Sequence, residues 1–197
     1  GHGTMALGAW AVSSGIVAVD PSGTTEVTID VPSGRVRAQV HTDAEGRAAS
    51  VDFVNVPSRL VASGITVDTS RGPVRVDLAW GGAIYALVDA SDLGEPSLDV
   101  VPENLTALIS LGREIKAGLA DHPDTVHPED DRLSGVYGTI FVDRFGTLLS
   151  GELHQRNVTI FADGQVDRSP CGSGTAARVA ALHAAGELRP GQSLVHE

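Results

Sequence analysis

Cys171 stands directly before Gly172-Ser173-Gly174-Thr175, and residues 173–188 that follow are rich in Ala, Arg, Leu and Val. A thiol at such a step lies at a helix N-terminus, where the positive end of the macrodipole favours the thiolate. Gly172 and Gly174 leave backbone N–H groups open to an anion such as a carboxylate. Thr175 adds a hydroxyl for capping or binding. Asp167, four residues upstream of the thiol, can take a substrate ammonium, and Arg168 can hold the loop by ion pairing. A thiolate beside an anion cradle suits removal of a proton from an acid with a reactive α-carbon. The bland alternative is a small core residue, the commonest fate of a lone cysteine. Placement before a glycine step, rather than inside an apolar run, favours chemistry.

Other chemistries find less support. No Gly-Lys-Ser/Thr follows the glycines, which argues against a Walker nucleotide site. His122, His127, His154, His183 and His196 show no metal-ligand spacing and are expected mostly at the surface; no metal site is predicted. None of them stands in a recognisable partner motif for a cysteine hydrolase. With 25 acidic residues against 14 basic ones and a net charge of −11, the chain is no nucleic-acid binder. One cysteine allows neither an intramolecular disulfide nor a Cys-based zinc site, and suits a reducing, cytoplasmic setting. No run of about 18 apolar residues predicts a membrane helix.

The elements that must position Cys171 come from the hydrophobic pattern. Hydrophobic residues at 42% can build a packed core, and aromatics at 4% mean that Val, Ala, Leu and Ile fill it. Alternation over Glu26–Val31 and Arg35–His41 around Pro32-Ser33-Gly34 predicts a hairpin, with a third strand over Ala49–Val56. Apolar segments over Arg59–Val67, Val74–Trp80, Ala83–Val88, Val136–Leu149 and Leu153–Phe161 predict further strands. Residues 104–119 predict an amphipathic helix with Asn104 as N-cap. Ser70-Arg71-Gly72-Pro73 is the expected domain boundary, giving residues 1–72 and 73–197.

The chain also repeats itself at an offset of 171. Gly1/Gly172, Gly3/Gly174, Thr4/Thr175, Ala6/Ala177, Ala9/Ala180 and Gly15/Gly186 are identical pairs. Each copy is Gly-x-Gly-Thr opening an Ala-rich helix that closes at Gly, which predicts a duplicated unit with a buried helix in each half. The counterpart of Cys171 would precede Gly1, and a first residue Gly with a lone Met5 predicts a chain trimmed from a longer protein.

At these residues the chain resembles the proline racemase family. Residues 161–175, FADGQVDRSPCGSGT, look like that family's second catalytic motif, and Gly1-His2-Gly3-Thr4 looks like the remainder of the first. Gly81-Gly82 with residues 84–90 matches a further signature. The resemblance implies an α+β fold of two pseudo-symmetric halves, each wrapping strands around a central helix as in diaminopimelate epimerase, with the N-terminal half incomplete. It implies a cofactor-independent, two-base reaction on proline or a hydroxyproline, the substrate lying between the halves. Cys171 would be one acid/base. Gly1, His2, Gly172 and Ser173 would bind the carboxylate, Asp167 the ring nitrogen, and Phe161 would border the pocket. No cofactor is implied, and a homodimer is expected. Dehydratases of the family commonly carry Thr where Cys171 stands, so the thiol favours racemase or epimerase. The alternatives are a 3-hydroxyproline dehydratase and a truncated, non-catalytic amino-acid-binding paralogue.

Overall fold

The computed structural model describes all of residues 1–197. It divides into two compact units, Gly1–Pro57 and Ser58–Glu197. The Ser70–Pro73 cluster is therefore no boundary. It is the tight turn of a hairpin inside the second unit, with Thr69 paired to Gly72. Gly and Pro punctuate a turn as readily as a linker, and here the apolar strands on both sides pair with each other.

The first unit is helix α1 (His2–Ser13) packed on an antiparallel sheet of β1 (Thr24–Val31), β2 (Gly34–Thr42) and β3 (Ala48–Val54), in the order β1-β2-β3. The period of two survives as burial: Thr25 and Val27 on β1, and Val36, Ala38 and Val40 on β2, face inward. Gly8 lets α1 approach this face, because a Cβ there would stand 2.5 Å from that of Ala38. The expected buried helix is only partly so. Thr4, Gly8, Ala11 and Val12 are covered, whereas Leu7 and Trp10 are 52% and 58% exposed. A three-stranded sheet covers one side of a helix, and α1 is apolar on more than one.

The second unit is a seven-stranded sheet. Six strands run in the order β10-β8-β7-β6-β5-β4, and the short β9 pairs with β8. They are β4 (Arg59–Thr69), β5 (Gly72–Trp80), β6 (Ile84–Asp89), β7 (Val136–Thr147), β8 (Leu153–Phe161), β9 (Gln165–Val166) and β10 (Leu194–His196). Pairing is antiparallel except for β6 with β7 and β8 with β10. The parallel step from β6 to β7 needs a crossover, and it contains α2 (Leu105–Gly118). Helix α3 (Gly172–Ala184) follows β9.

The two helices serve different cores. Val76, Leu78 and Trp80 of β5 and Ile84, Ala86 and Val88 of β6 pack with Leu108, Leu111 and Ile115 of α2. The alternate residues Ala79, Tyr85 and Leu87 pack with Ala177 and Ala181 of α3, and with Cys171. Covered on both faces, β6 is a continuous apolar run rather than an alternating one. Asn104 precedes α2 as expected but makes no side-chain cap; its amide donates to Asp99 O at 2.9 Å. No helix is long and apolar enough to cross a membrane.

Sequence reading missed β10, which places His196 beside α3. The Thr175 hydroxyl donates to Pro170 O at 3.0 Å and meets His196 Nδ1 at 2.9 Å, so Nδ1 carries the proton. Nε2 is buried without a partner. Burial, and then the charge of Arg178, hold the imidazole down at about 4, against an ordinary 6.5. Between those values the unfolded chain binds a proton that the folded chain does not. Stability therefore rises with pH through this window and is lost as pH falls from about 6.5 to 4, by an amount on the order of 2–3 kcal/mol. Urea midpoints at pH 7 and pH 4.5 should show a smaller acid loss in His196→Gln than in wild type; equal losses would contradict this.

Candidate active site

The loop into α3 is tied down by its own side chains. Asp167 N donates to Thr159 O on β8 at 3.0 Å. Asp167 Oδ1 accepts from Ser169 N at 3.0 Å and from Ser169 Oγ at 2.9 Å. Ser169 Oγ in turn accepts from Cys171 N at 3.2 Å. Asn157 Nδ2 donates to Pro170 O at 3.3 Å, the carbonyl that also takes the Thr175 hydroxyl. Arg168, expected to brace the loop by an ion pair, is exposed and makes none; the Asp167–Ser169 pair does that work locally.

These bonds hold Cys171 at φ 60°, ψ 94°, a left-handed setting that costs a non-glycine residue about 1–3 kcal/mol. Cys171 is the N-cap of α3, its carbonyl accepting from Thr175 N at 2.7 Å. No acidic residue occupies the first turn and no side chain caps it, so the positive helix end is not neutralised from within. The thiol is 6% exposed.

Two glycines set the depth of this helix start. A Cβ on Gly174 would stand 3.0 Å from Cys171 Sγ and 2.5 Å from Ile140. A Cβ on Gly81, at the β5–β6 turn, would stand 2.1 Å from Ser173 O. Backbone therefore packs against backbone, and the sulfur lies directly on the first turn.

Tyr85, the second residue of β6, completes the arrangement. It is 1% exposed, and its hydroxyl lies 2.6 Å from Ser173 Oγ and accepts from Cys171 Sγ at 3.6 Å, a normal length for sulfur. Burial, and next the charge of Cys171, push the phenol well above its ordinary value, so it remains protonated. Tyr137 meets the Tyr85 ring edge-on at 5.6 Å between centroids and stacks on Phe161 at 5.9 Å. Phe161 thus sits at the outer end of an aromatic row leading to the buried hydroxyl. Sequence reading gave Tyr85 no role. Its signal was a single polar head in an apolar strand directly after Gly81-Gly82.

Of the expected site residues, Phe161, Asp167, Cys171, Gly172 and Ser173 all belong to the second unit, and the structure brings Cys171, Ser173 and the Asp167 loop together. Gly1 and His2 belong to the first unit. Gly1 caps α1, accepting from Met5 N at 3.1 Å, and exposed His2 is the first helical residue. Like α3, α1 opens with no acidic residue in its first turn and no side-chain cap. No group of three or more His, Cys, Asp or Glu side chains could hold a metal ion.

Known proteins resemble this chain in sequence and in fold. A sequence model described as proline racemase matches residues 1–197. Proline racemase of Clostridioides difficile is 37% identical over 199 residues, covering 100% of this chain and 57% of that protein. Trans-3-hydroxy-L-proline dehydratase of Colwellia psychrerythraea is 42% identical over 185 residues, covering 93% and 50%. A crystal structure of a hydroxyproline epimerase from Agrobacterium vitis, with bound trans-4-hydroxy-L-proline, superposes with a TM-score of 0.84 at 34% identity, covering 96% and 53%. The chain spans about half the length of the curated relatives it matches. The chain belongs to the proline racemase family.

Proposed function

We propose that this chain supplies one acid/base of a cofactor-independent racemase or epimerase acting on proline or a hydroxyproline. The observation that carries the reading is the Cys171 sulfur, held on the first turn of α3 by a left-handed backbone and touching a protonated tyrosine. As thiolate, Cys171 takes the substrate's α-proton and becomes a thiol. The electron pair left on the α-carbon spreads into the carboxylate, whose charge the uncapped helix N-terminus stabilises. A second acid then delivers a proton to the other face, and the resemblance places that acid just before Gly1. Backbone N–H groups of Gly172 and Ser173 bind the carboxylate. Gly1 and His2 share that role by resemblance alone. Asp167 takes the ring nitrogen, and Phe161 borders the ring. A cytoplasmic homodimer is part of the same reading.

A dehydratase is the second reading, favoured by the 42% identity to an enzyme of that name. There the same α-proton leaves and a 3-hydroxyl departs, with no reprotonation. Chiral chromatography after incubating the protein that carries this chain with L-proline, trans-4-hydroxy-L-proline and trans-3-hydroxy-L-proline separates the readings. The C2 epimer of at least one substrate is the expected product. A dehydrated product from the 3-hydroxy compound alone would favour the dehydratase. Binding without turnover of any of them would leave a non-catalytic binding protein.

A further inference from the structure

The acid/base role proposed above requires the sulfur to exist as thiol and thiolate in turn, and the structure holds a group suited to both forms. The Tyr85 hydroxyl is buried and meets two side chains, Cys171 Sγ and Ser173 Oγ. A buried phenol needs a partner for its proton. We propose that Tyr85 is the positioning residue of Cys171, a hydroxyl that accepts from the thiol and donates to the thiolate, with Ser173 as its counter-partner.

With the thiol present, S–H donates to the Tyr85 oxygen and the Tyr85 O–H donates to Ser173 Oγ. When the sulfur has lost its proton, the Tyr85 O–H turns to the thiolate and the Ser173 O–H donates to the Tyr85 oxygen. Two hydroxyl protons rotate, no heavy atom moves, and no proton passes along the chain. The sulfur keeps one hydrogen bond in each state, and its direction follows the charge. Burial keeps the phenol protonated, so it does not compete as a base. The ring's place in the core would be filled equally well by phenylalanine; only the hydroxyl distinguishes the two.

The test is the pH profile of Cys171 alkylation by iodoacetamide in the protein carrying this chain. Hydrogen bonds to charged groups are worth enough that Tyr85→Phe should raise the midpoint by about one pH unit. The acid limb of the inversion rate should move with it. Ser173→Ala should shift the midpoint in the same direction by less, and Ser173→Thr, which restores the hydroxyl, should return it towards wild type. A purely structural role would lower melting temperature without moving either midpoint. Should Tyr85→Phe not fold, the Ser173 pair carries the comparison. An unmoved midpoint in folded Tyr85→Phe, or in Ser173→Ala, overturns the proposal. Alkylation reads the thiol directly, so a shifted midpoint in a protein without isomerase activity would overturn the proposed function and leave the Tyr85 role standing.

Discussion

Replacing Cys171 by serine should remove inversion of the α-carbon and leave binding of a planar carboxylate analogue largely intact. The sulfur is the one readily ionisable side-chain atom on the first turn of α3, where Gly, Ser, Gly and Thr follow it, and a serine hydroxyl is far harder to ionise. General acid/base groups contribute about 10²–10⁴-fold, so kcat should fall by at least about a hundredfold. In the proposed reading the carboxylate cradle is backbone N–H at residues 172 and 173, at the start of α3, which the substitution leaves in place. Pyrrole-2-carboxylate, with its trigonal α-carbon, should therefore bind Cys171→Ser within a few-fold of wild type by calorimetry. Turnover that survives in the variant would remove Cys171 from the chemistry. Loss of binding together with turnover would mean that the sulfur shapes the site rather than acting in it.

The largest effect on stability is expected away from the thiol, at Asp89. Arg178 of α3 is 3% exposed; its Nε donates to Gln155 Oε1 at 2.9 Å and its Nη2 to Asp89 Oδ1 at 2.9 Å. Asp89 Oδ2 meanwhile accepts from Arg144 at 2.7 Å, and Arg144 also pairs with Glu187. One carboxylate at the end of β6 thus holds two guanidinium groups and ties α3 to the sheet. Burial, helped by the like charge of Arg144, pulls Arg178 below its ordinary value, and the charge of Asp89 is the main opposing influence. Asp89→Ala leaves a buried cation unpaired, which costs about 3–5 kcal/mol. For a chain of this size that corresponds to a fall of roughly 10 °C in melting temperature. Arg178→Met in the same chain should recover a large part of it, because the unpaired charge is then gone. A melting temperature within about 2 °C of wild type in Asp89→Ala would show that the pair is solvated after all.

Most strands and all three α-helices were legible because their signals are local. The alternation of β1 and β2, the 3.6-residue stripe Leu108, Leu111, Ile115 of α2, and Gly at the close of α1 and α3 each follow from a few neighbouring residues. What stayed hidden depends on pairing across the chain. The three residues of β10 form a strand only because β8 offers a free edge, and no local pattern announces them. The turn at Ser70–Pro73 carries the same Gly and Pro as a linker, and only the β4–β5 register distinguishes it. In the candidate site, Cys171 and its glycine step were legible as a motif. Tyr85 lies 86 residues away, and Arg178 looked like one more charge in an Ala-rich helix, so their roles appear only when β6 and α3 are packed together.

The central claim is that the α-proton leaves and another arrives from a different group. Running the reaction in deuterium oxide with a proline or hydroxyproline substrate and following the α-carbon by mass spectrometry or NMR tests it most directly. At early times each inverted product molecule should carry one solvent deuterium at the α-carbon, while recovered substrate of the original configuration carries almost none. Inverted product that retains its original α-hydrogen would contradict the account.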